Sequence, residues 1–514
     1  MNKSGFIYGA IILATVNFIV RIIGFSYKII LSKLIGPEGI GLFQMVFPVL
    51  MFFITFTTAG IPIAVSKLVA KQNSIGNSYG AKKVFKVAFL FTFIIAVFFS
   101  LLIIFLGKNI CAIILKNNDI YFSVLLTAPA VLIISLSSVM RGYFYGLKRI
   151  SPAGIAQIIE QLTRIIFVLG IIYYLYPVNP KLGSIIAVVG ISVGELFGLA
   201  WLVFHYRLLS RSTHSNAKRQ VKYRTIISKI SYIAVPITIS RVISVLMQLA
   251  NAVLIPQRLM IAGYSNKEAI SIFGRVVGMS MPIIFLPFIV TSALVINIIP
   301  NLSEEMELKN YSLIKTNIAL SMRITLLISI PLTLLYVFFS NPLAMFFYGD
   351  KAVGEYIGIL GYSTIFISLQ HTLSGILHGM GKQISATVNY LIGMSIQLFT
   401  TYFLVGNPAF GINGFFLGFI LSTFTICLLN YMTLNHTIQI KIKIFDYIFK
   451  PIFASILSIF TILTAYKYLT NINTKSYISF FICLISGGVT YFLALIITKG
   501  LPQHFIKILY SFKR

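Results

Sequence analysis

The stretch VNFIVRIIGF, residues 16–25, sets one arginine in a run of apolar residues, and Arg21 is the single charge between Gly5 and Ile23. A membrane span needs about 20 predominantly apolar residues. This run is long enough, so the arginine stands where a charge has no bulk water. Working outward, the same pattern recurs near 40–66, 84–107, 120–146, 155–176, 183–206, 230–255, 270–300, 317–340, 354–379, 384–405, 411–433, 447–469 and 477–498. With 5–31, that makes fourteen spans. The first is too long for a signal-peptide core and no small-residue cleavage site follows it, so it reads as a transmembrane helix. Of 514 residues, 58% are hydrophobic and 10% charged, far from the balance of a soluble domain. The expected fold is an all-α integral membrane protein of about fourteen transmembrane helices.

A net charge of +30 would point to nucleic acid in a soluble protein. Here the charges follow the positive-inside rule instead. Of 41 Lys and Arg, those inside spans are Arg21, Lys28, Arg141, Arg164, Arg241, Arg275 and Arg323; with the N-terminus inside, about 25 of the rest fall on the cytoplasmic side and about nine outside. No nucleic-acid partner is therefore expected, and both termini are placed in the cytoplasm of a plasma-membrane protein. The richest loop, RLLSRSTHSNAKRQVKYRTIISK (207–229), reads as a topology anchor beside anionic lipid. Cys111, Cys427 and Cys483 are isolated and give neither a disulfide framework nor metal spacing. No cofactor is expected.

The chain repeats itself. SLSSVMRGYFYGLKRIS (135–151) lines up with SLQHTLSGILHGMGKQIS (368–385), keeping Ser-Leu, two glycines four apart and a final Ile-Ser. PKLGSIIAVVG (180–190) resembles PAFGINGFFLG (408–418), and VRIIGFSYKIILSKLI of the first span resembles SRVISVLMQLANAVLI of the seventh. Spans 1–6 thus repeat as spans 7–12. The expected domains are an N-terminal lobe (1–206), a basic cytoplasmic linker (207–229), a C-terminal lobe (230–433), and helices 13 and 14 with a cytoplasmic tail (434–514). Parallel repeats of six spans form two pseudo-symmetric lobes, an arrangement common in alternating-access transporters.

The buried charges carry the functional reading. A charge at the bilayer centre costs about 2.5–3.5 kcal/mol on insertion scales, so several together imply a water-filled cavity. On the first span Asn17, Arg21, Gly24 and Lys28 are spaced 4, 3 and 4 and share a helix face. Lys28, near the helix end, also reads as a snorkelling side chain. On the seventh, Arg241, Ser244, Gln248 and Asn251 form a second polar stripe; the eighth adds Arg275, and Gln44 on the second joins the polar cavity set. No acid lies within these four spans, so Arg21, Lys28, Arg241 and Arg275 are expected to lack internal counter-ions and to meet an anionic ligand, arginine offering a donor fork that matches phosphate. A different arrangement, QIIEQLTR (157–164), places Glu160 and Arg164 four apart, with Arg141 a further partner. These read as a gating or packing network. Glu195 reads as a lone buried acid, counted with the same gating or structural set. His205, His214, His371, His378, His436 and His504 form no triad or metal arrangement, which argues against a membrane enzyme.

GPEGIGLFQMVFPVLMFFITFTTAGIPIAVSKLVAK (36–71), RGYFYGLKRISPAGIAQIIEQLTRI (141–165) and GRVVGMSMPIIFLPFIVTSALVINIIPNLSEE (274–305) resemble the stage V sporulation protein B group. That group is a branch of the multidrug/oligosaccharidyl-lipid/polysaccharide exporter superfamily related to lipid II flippases. The resemblance implies two lobes plus a hydrophobic groove formed by helices 13 and 14. It also implies movement of a polyprenyl-diphosphate-linked sugar, such as lipid II, from the inner to the outer leaflet for peptidoglycan or spore-cortex synthesis. Arg21 and Arg275 match two arginines that line the cavity in lipid II flippases; a further one falls near Tyr27, where Lys28 supplies the charge or none is present. The group also includes exopolysaccharide flippases, which the motifs do not separate. A multidrug exporter of the superfamily would need cavity acids, which the first, second, seventh and eighth spans lack. The expected protein is a monomer.

Overall fold

The computed structural model describes residues 3–212, 223–439, 445–472 and 476–501; among these the chain is helical and forms no strand. The centre of the basic linker, 213–222, and the tail, 502–514, lie outside the described residues. In chain order the helices are α1 (Lys3–Thr58), α2 (Ile61–Ser74), α3 (Ser78–Asn109), α4 (Tyr121–Leu125), α5 (Thr127–Gly146), α6 (Ile150–Tyr174), α7 (Pro180–Ser212), α8 (Tyr223–Ile261), α9 (Asn266–Phe273) and α10 (Met281–Ile284). There follow α11 (Phe288–Glu307), α12 (Tyr311–Phe338), α13 (Ser340–Phe347), α14 (Lys351–Gly361), α15 (Thr364–Gly379), α16 (Gln383–Leu404), α17 (Asn413–Ile438), α18 (Lys450–Asn471) and α19 (Ser476–Ile497).

Among the described residues ten helices are long and apolar enough to cross a membrane, and up to twelve if each of two bent pairs is one span. Each of those pairs, Asn266–Ile284 with Phe288–Glu307 and Lys351–Gly361 with Thr364–Gly379, bends by 56°. The ten include Thr15–Ser74 as one segment. It holds two of the expected spans, because α1 breaks at Gly36, whose φ of 70° and ψ of 176° leave the helix. Glycine reaches positive φ without a Cβ clash, and Pro37 restarts the helix. The expected span at 384–405 is α16, which is not among the twelve. Side-chain caps set several starts: Asn77 accepts from Gly80 N, Ser265 and Glu268 form a capping box, and Asp350 accepts from Ala352 N.

The helices gather into two compact units, Met1–Gly274 and Arg275–Arg514. In the first, Gly142 and Gly146 of α5 let that helix lie on α2: a Cβ there would come within 2.6 Å of the Pro62 carbonyl oxygen and 2.7 Å of that of Ser66. A second glycine row, Gly190, Gly194 and Gly198, seats α7 on α6; a Cβ at Gly194 would stand 2.6 Å from the Glu160 carbonyl oxygen. Such small-residue rows allow close helix approach where no hydrophobic gain separates helix from lipid. Ile61, Val65, Phe85, Tyr143, Phe144 and Ile230 form its buried core.

In the second unit the repeated glycine pair does the same task. Gly375 and Gly379 of α15 face Val295 and Ile299 of α11, the Gly379 Cβ position lying 3.1 Å from the Ile299 backbone. Asn389 Nδ2 donates to Asn430 Oδ1 at 3.0 Å, and Asn430 Nδ2 donates to Ser374 Oγ at 3.0 Å, tying α16, α17 and α15 together. The α18–α19 pair is fixed to α12 by Tyr491, whose hydroxyl donates to the Leu327 carbonyl at 2.7 Å.

Candidate functional site

Helices α5, α6 and α7 of the first unit bring four charges together. Arg164 Nη2 lies 2.7 Å from Glu160 Oε1, the i,i+4 pair expected from sequence, and Arg141 Nη1 lies 3.3 Å from Glu160 Oε2. Arg141 Nη2 also stands 3.6 Å from Glu195 Oε2, so Glu195 is not the lone acid that the sequence suggested. Two guanidinium groups thus face two carboxylates, all largely buried. The glycine row on α7 explains why: with no side chain at Gly194 or Gly198, α7 comes close enough to α6 for Glu195 to reach an arginine held by Glu160. Glu195 Oε2, Gln157 Oε1 and Arg164 Nε remain buried without a hydrogen-bond partner among the described residues.

Asn17, Arg21, Gly24 and Lys28 all lie in the continuous helix before Gly36, which preserves their shared face. Arg21 and Lys28 are exposed, Asn17 and Gly24 half-buried. This part of α1 lies along α6, where Gly154 meets Val16. On α8, which belongs to the same unit, Arg241 and Gln248 are exposed and Ser244 and Asn251 half-buried. Gln44 is buried in the second arm of α1. Residues 3–35 and the whole of α8 contain no Asp or Glu. The first unit thus holds three of the four expected cavity cations, exposed on helices apolar enough to cross a membrane.

The fourth, Arg275, is corrected in one respect. It sits in a π-helical turn, Gly274–Ser280, and its Nε donates to Asp350 Oδ2 at 2.7 Å. The expectation of no internal counter-ion fails because the acid comes from the junction before α14, 75 residues away, and not from a neighbouring span. Arg323 likewise has a distant role: its Nη2 donates to the Gly500 carbonyl at 2.7 Å and its guanidinium stands over the Tyr447 ring at 5.6 Å. His371 stacks on Phe288 at 4.5 Å and its Nδ1 is 2.9 Å from Thr291 Oγ1. Among the described residues no group of three or more His, Cys, Asp or Glu could hold a metal.

These features define a multi-pass helical membrane protein with ionic clusters inside its helical units. The chain belongs to the polysaccharide biosynthesis protein family, whose model matches residues 6–304, and the MatE model matches 236–403. It is 27% identical over 450 residues to stage V sporulation protein B of Bacillus subtilis, covering 87% of each chain. It is 26% identical over 422 residues to lipid II flippase MurJ of the same organism, covering 77% of this chain and 76% of the other. The resemblance read from 36–71, 141–165 and 274–305 is thereby borne out. Among solved structures, an inward-facing multidrug resistance MATE family transporter of the MOP superfamily aligns with a TM-score of 0.67 at 15% identity, over 84% of this chain and 98% of that one. A MOP superfamily transporter from Pyrococcus furiosus, described as having a binding pocket of reverse polarity, gives 0.61 at 15% identity, over 84% and 95%. The fold is that of these transporters.

Proposed function

We propose that the chain is a flippase that moves a polyprenyl-diphosphate-linked sugar, lipid II or a related precursor, from the inner to the outer leaflet by alternating access, for peptidoglycan or spore-cortex synthesis. The observation that carries the reading is the exposure of Arg21, Lys28 and Arg241 on acid-free apolar helix segments of one unit. Facing lipid, each would cost about 2.5–3.5 kcal/mol. Facing a water-filled cavity, they form a site for a diphosphate, which two arginine forks and one ammonium suit. In the second unit Arg275 offers a separate phosphate contact, where a phosphate competes with Asp350 for its guanidinium. Arg141, Glu160, Arg164 and Glu195 act as a neutral structural or gating network, not as substrate ligands. Gln44, Asn17, Gln248 and Asn251 complete the polar lining.

A second feature supports a place for the lipid tail. A cavity of about 270 Å³ between α18 and α19 is lined by Phe453, Leu457, Phe460, Leu493 and Ile497, with few polar atoms. Within this reading 1–206 and 230–433 are the two repeated lobes, both termini are cytoplasmic, the basic loops meet anionic lipid, and a monomer suffices. The names of the relatives, one a lipid II flippase, support the substrate class.

The test is expression of the chain in cells depleted of their own lipid II flippase, with exposed lipid II read by an external enzyme that cleaves only outer-leaflet lipid. Restored cleavage supports the reading. A well-inserted chain that exposes no lipid II sinks the lipid II assignment.

A further inference from the structure

The first unit carries a second cavity that the substrate reading leaves unused. It measures about 260 Å³ and lies between the end of α1, α2, α3 and α8, lined by Phe56, Ile61, Phe91, Ile95, Ala234 and Val235, with few polar atoms. Ile61 and Ala234 are buried at its floor, whereas Val235 is 51% exposed, so the cavity is a groove open at the side. Gly60 makes it possible by letting the α1–α2 corner sit against the Ala234 backbone.

The starts of α3 and α8, which carry lysines and an arginine, meet near this groove. Lys83 Nζ lies 4.5 Å from the centre of the Tyr223 ring, which brings the start of α3 to the start of α8. Arg224 precedes the groove residue Ser231 by seven positions, so it shares that face of α8, two turns or about 10 Å along the axis. Lys86 and Lys229 are exposed on the same two helices. Lys83, Lys86, Arg224 and Lys229 make no ion pair among the described residues, and α2, α3 and α8 contain no Asp or Glu at all.

We propose that this end of α3 and α8 and the adjoining groove form a binding site for an anionic phospholipid. Its phosphate headgroup sits among Lys83, Lys86, Arg224 and Lys229, and one acyl chain lies in the groove. Charge selects the occupant: a zwitterionic lipid, whose phosphate is offset by its own ammonium, gains less from cations with no acidic partner, whereas each basic group near a surface attracts an anionic one. Arg224 stands about two turns before the groove residue Ser231, a spacing that suits a headgroup ahead of its chain. This site deepens the reading of 207–229 as an anchor beside anionic lipid and does not rest on the substrate assignment. It shares no residue with Arg21, Lys28 and Arg241.

Native mass spectrometry of the purified full-length protein tests it, with phosphatidylglycerol and phosphatidylcholine of equal chain length offered together. Phosphatidylglycerol is expected to be retained at least tenfold more strongly. Lys83→Gln/Arg224→Gln/Lys229→Gln is expected to erase that preference while leaving phosphatidylcholine unchanged, and Lys83→Arg/Lys229→Arg to keep it at an unaltered unfolding temperature. Val235→Trp, which fills the groove, is expected to weaken both lipids. Equal retention of the two lipids by the native protein overturns the proposal, as does a glutamine variant that keeps its preference. A glutamine variant that loses a polyprenyl diphosphate to the same extent also overturns it, since the cluster would then belong to the substrate path.

Discussion

Arg275 and Asp350 meet at 2.7 Å although 75 residues separate them, and the same carboxylate uses its other oxygen to cap α14 at Ala352 N, 2.9 Å away. One side chain therefore holds a helix start and an arginine expected to meet an anion. The two tasks separate by substitution. Asn is as good an N-cap as Asp, so Asp350→Asn removes only the ion pair, whereas Asp350→Ala removes both. In thermal unfolding of the purified protein, Ala is expected to be worse than Asn by about 1 kcal/mol, the usual value of a cap. Equal loss in both variants contradicts the double role.

The Glu160 network gives a sharper contrast. Glu160→Gln leaves Arg141 and Arg164 buried with Glu195 alone, and breaking a buried pair from one side is destabilising by about 3–5 kcal/mol. Glu160→Gln/Arg164→Met removes one charge of each sign and leaves Arg141 with Glu195. The double variant is expected to unfold at a higher temperature than Glu160→Gln alone. A double variant that is worse by the sum of both losses would show that the pair is not coupled.

Glycine contacts are tested by position. Gly194→Ala would place a Cβ 2.6 Å from the Glu160 carbonyl oxygen, a backbone contact that yields only if α7 moves off α6. A loss of about 1–3 kcal/mol is expected, the range for overpacking. Gly170→Ala meets nothing within 4 Å and is helical, so it is expected to be neutral or to stabilise by about 0.5–1 kcal/mol. Comparable unfolding temperatures for the two variants would contradict close α6–α7 packing as the cause.

How much of this was legible in the sequence depended on distance along the chain. The apolar spans, the Glu160–Arg164 pair and the repeated Gly142/Gly146 and Gly375/Gly379 pairs all show as local periodicity or as self-similarity, and the structure uses both glycine pairs in the same way. The row Gly190, Gly194, Gly198 is equally visible as glycines four apart, but spacing alone does not show that it packs on α6. Asp350 could be seen as a cap before a helix but not as the partner of Arg275, because no spacing rule spans 75 residues. The reach of Arg141 to Glu195 and of Arg323 to the Gly500 carbonyl escaped for the same reason. The break at Gly36 was marked by Gly-Pro, yet the helices on its two sides run on far enough to count as one element.

Exposure of Arg21 and Arg241 makes a prediction about chemistry and not only stability. Both side chains are exposed, so truncation opens no cavity in a core. Arg21→Ala and Arg241→Ala are each expected to leave the stability within about 0.5 kcal/mol of native, as surface changes do. Binding of a polyprenyl diphosphate by the same proteins is expected to fall at least tenfold, the loss of one charge-assisted contact worth about 1.5–3 kcal/mol. Unfolding of either variant at a much lower temperature would assign the arginine to packing.

The most direct measurement is lipid II translocation by the purified chain in proteoliposomes, native against Arg21→Ala and Arg21→Lys at equal insertion. The cationic site requires translocation by the native chain, a fall of at least tenfold for Ala, and partial retention for Lys, which keeps charge but loses the planar fork. Translocation by Arg21→Ala at the native rate would contradict it.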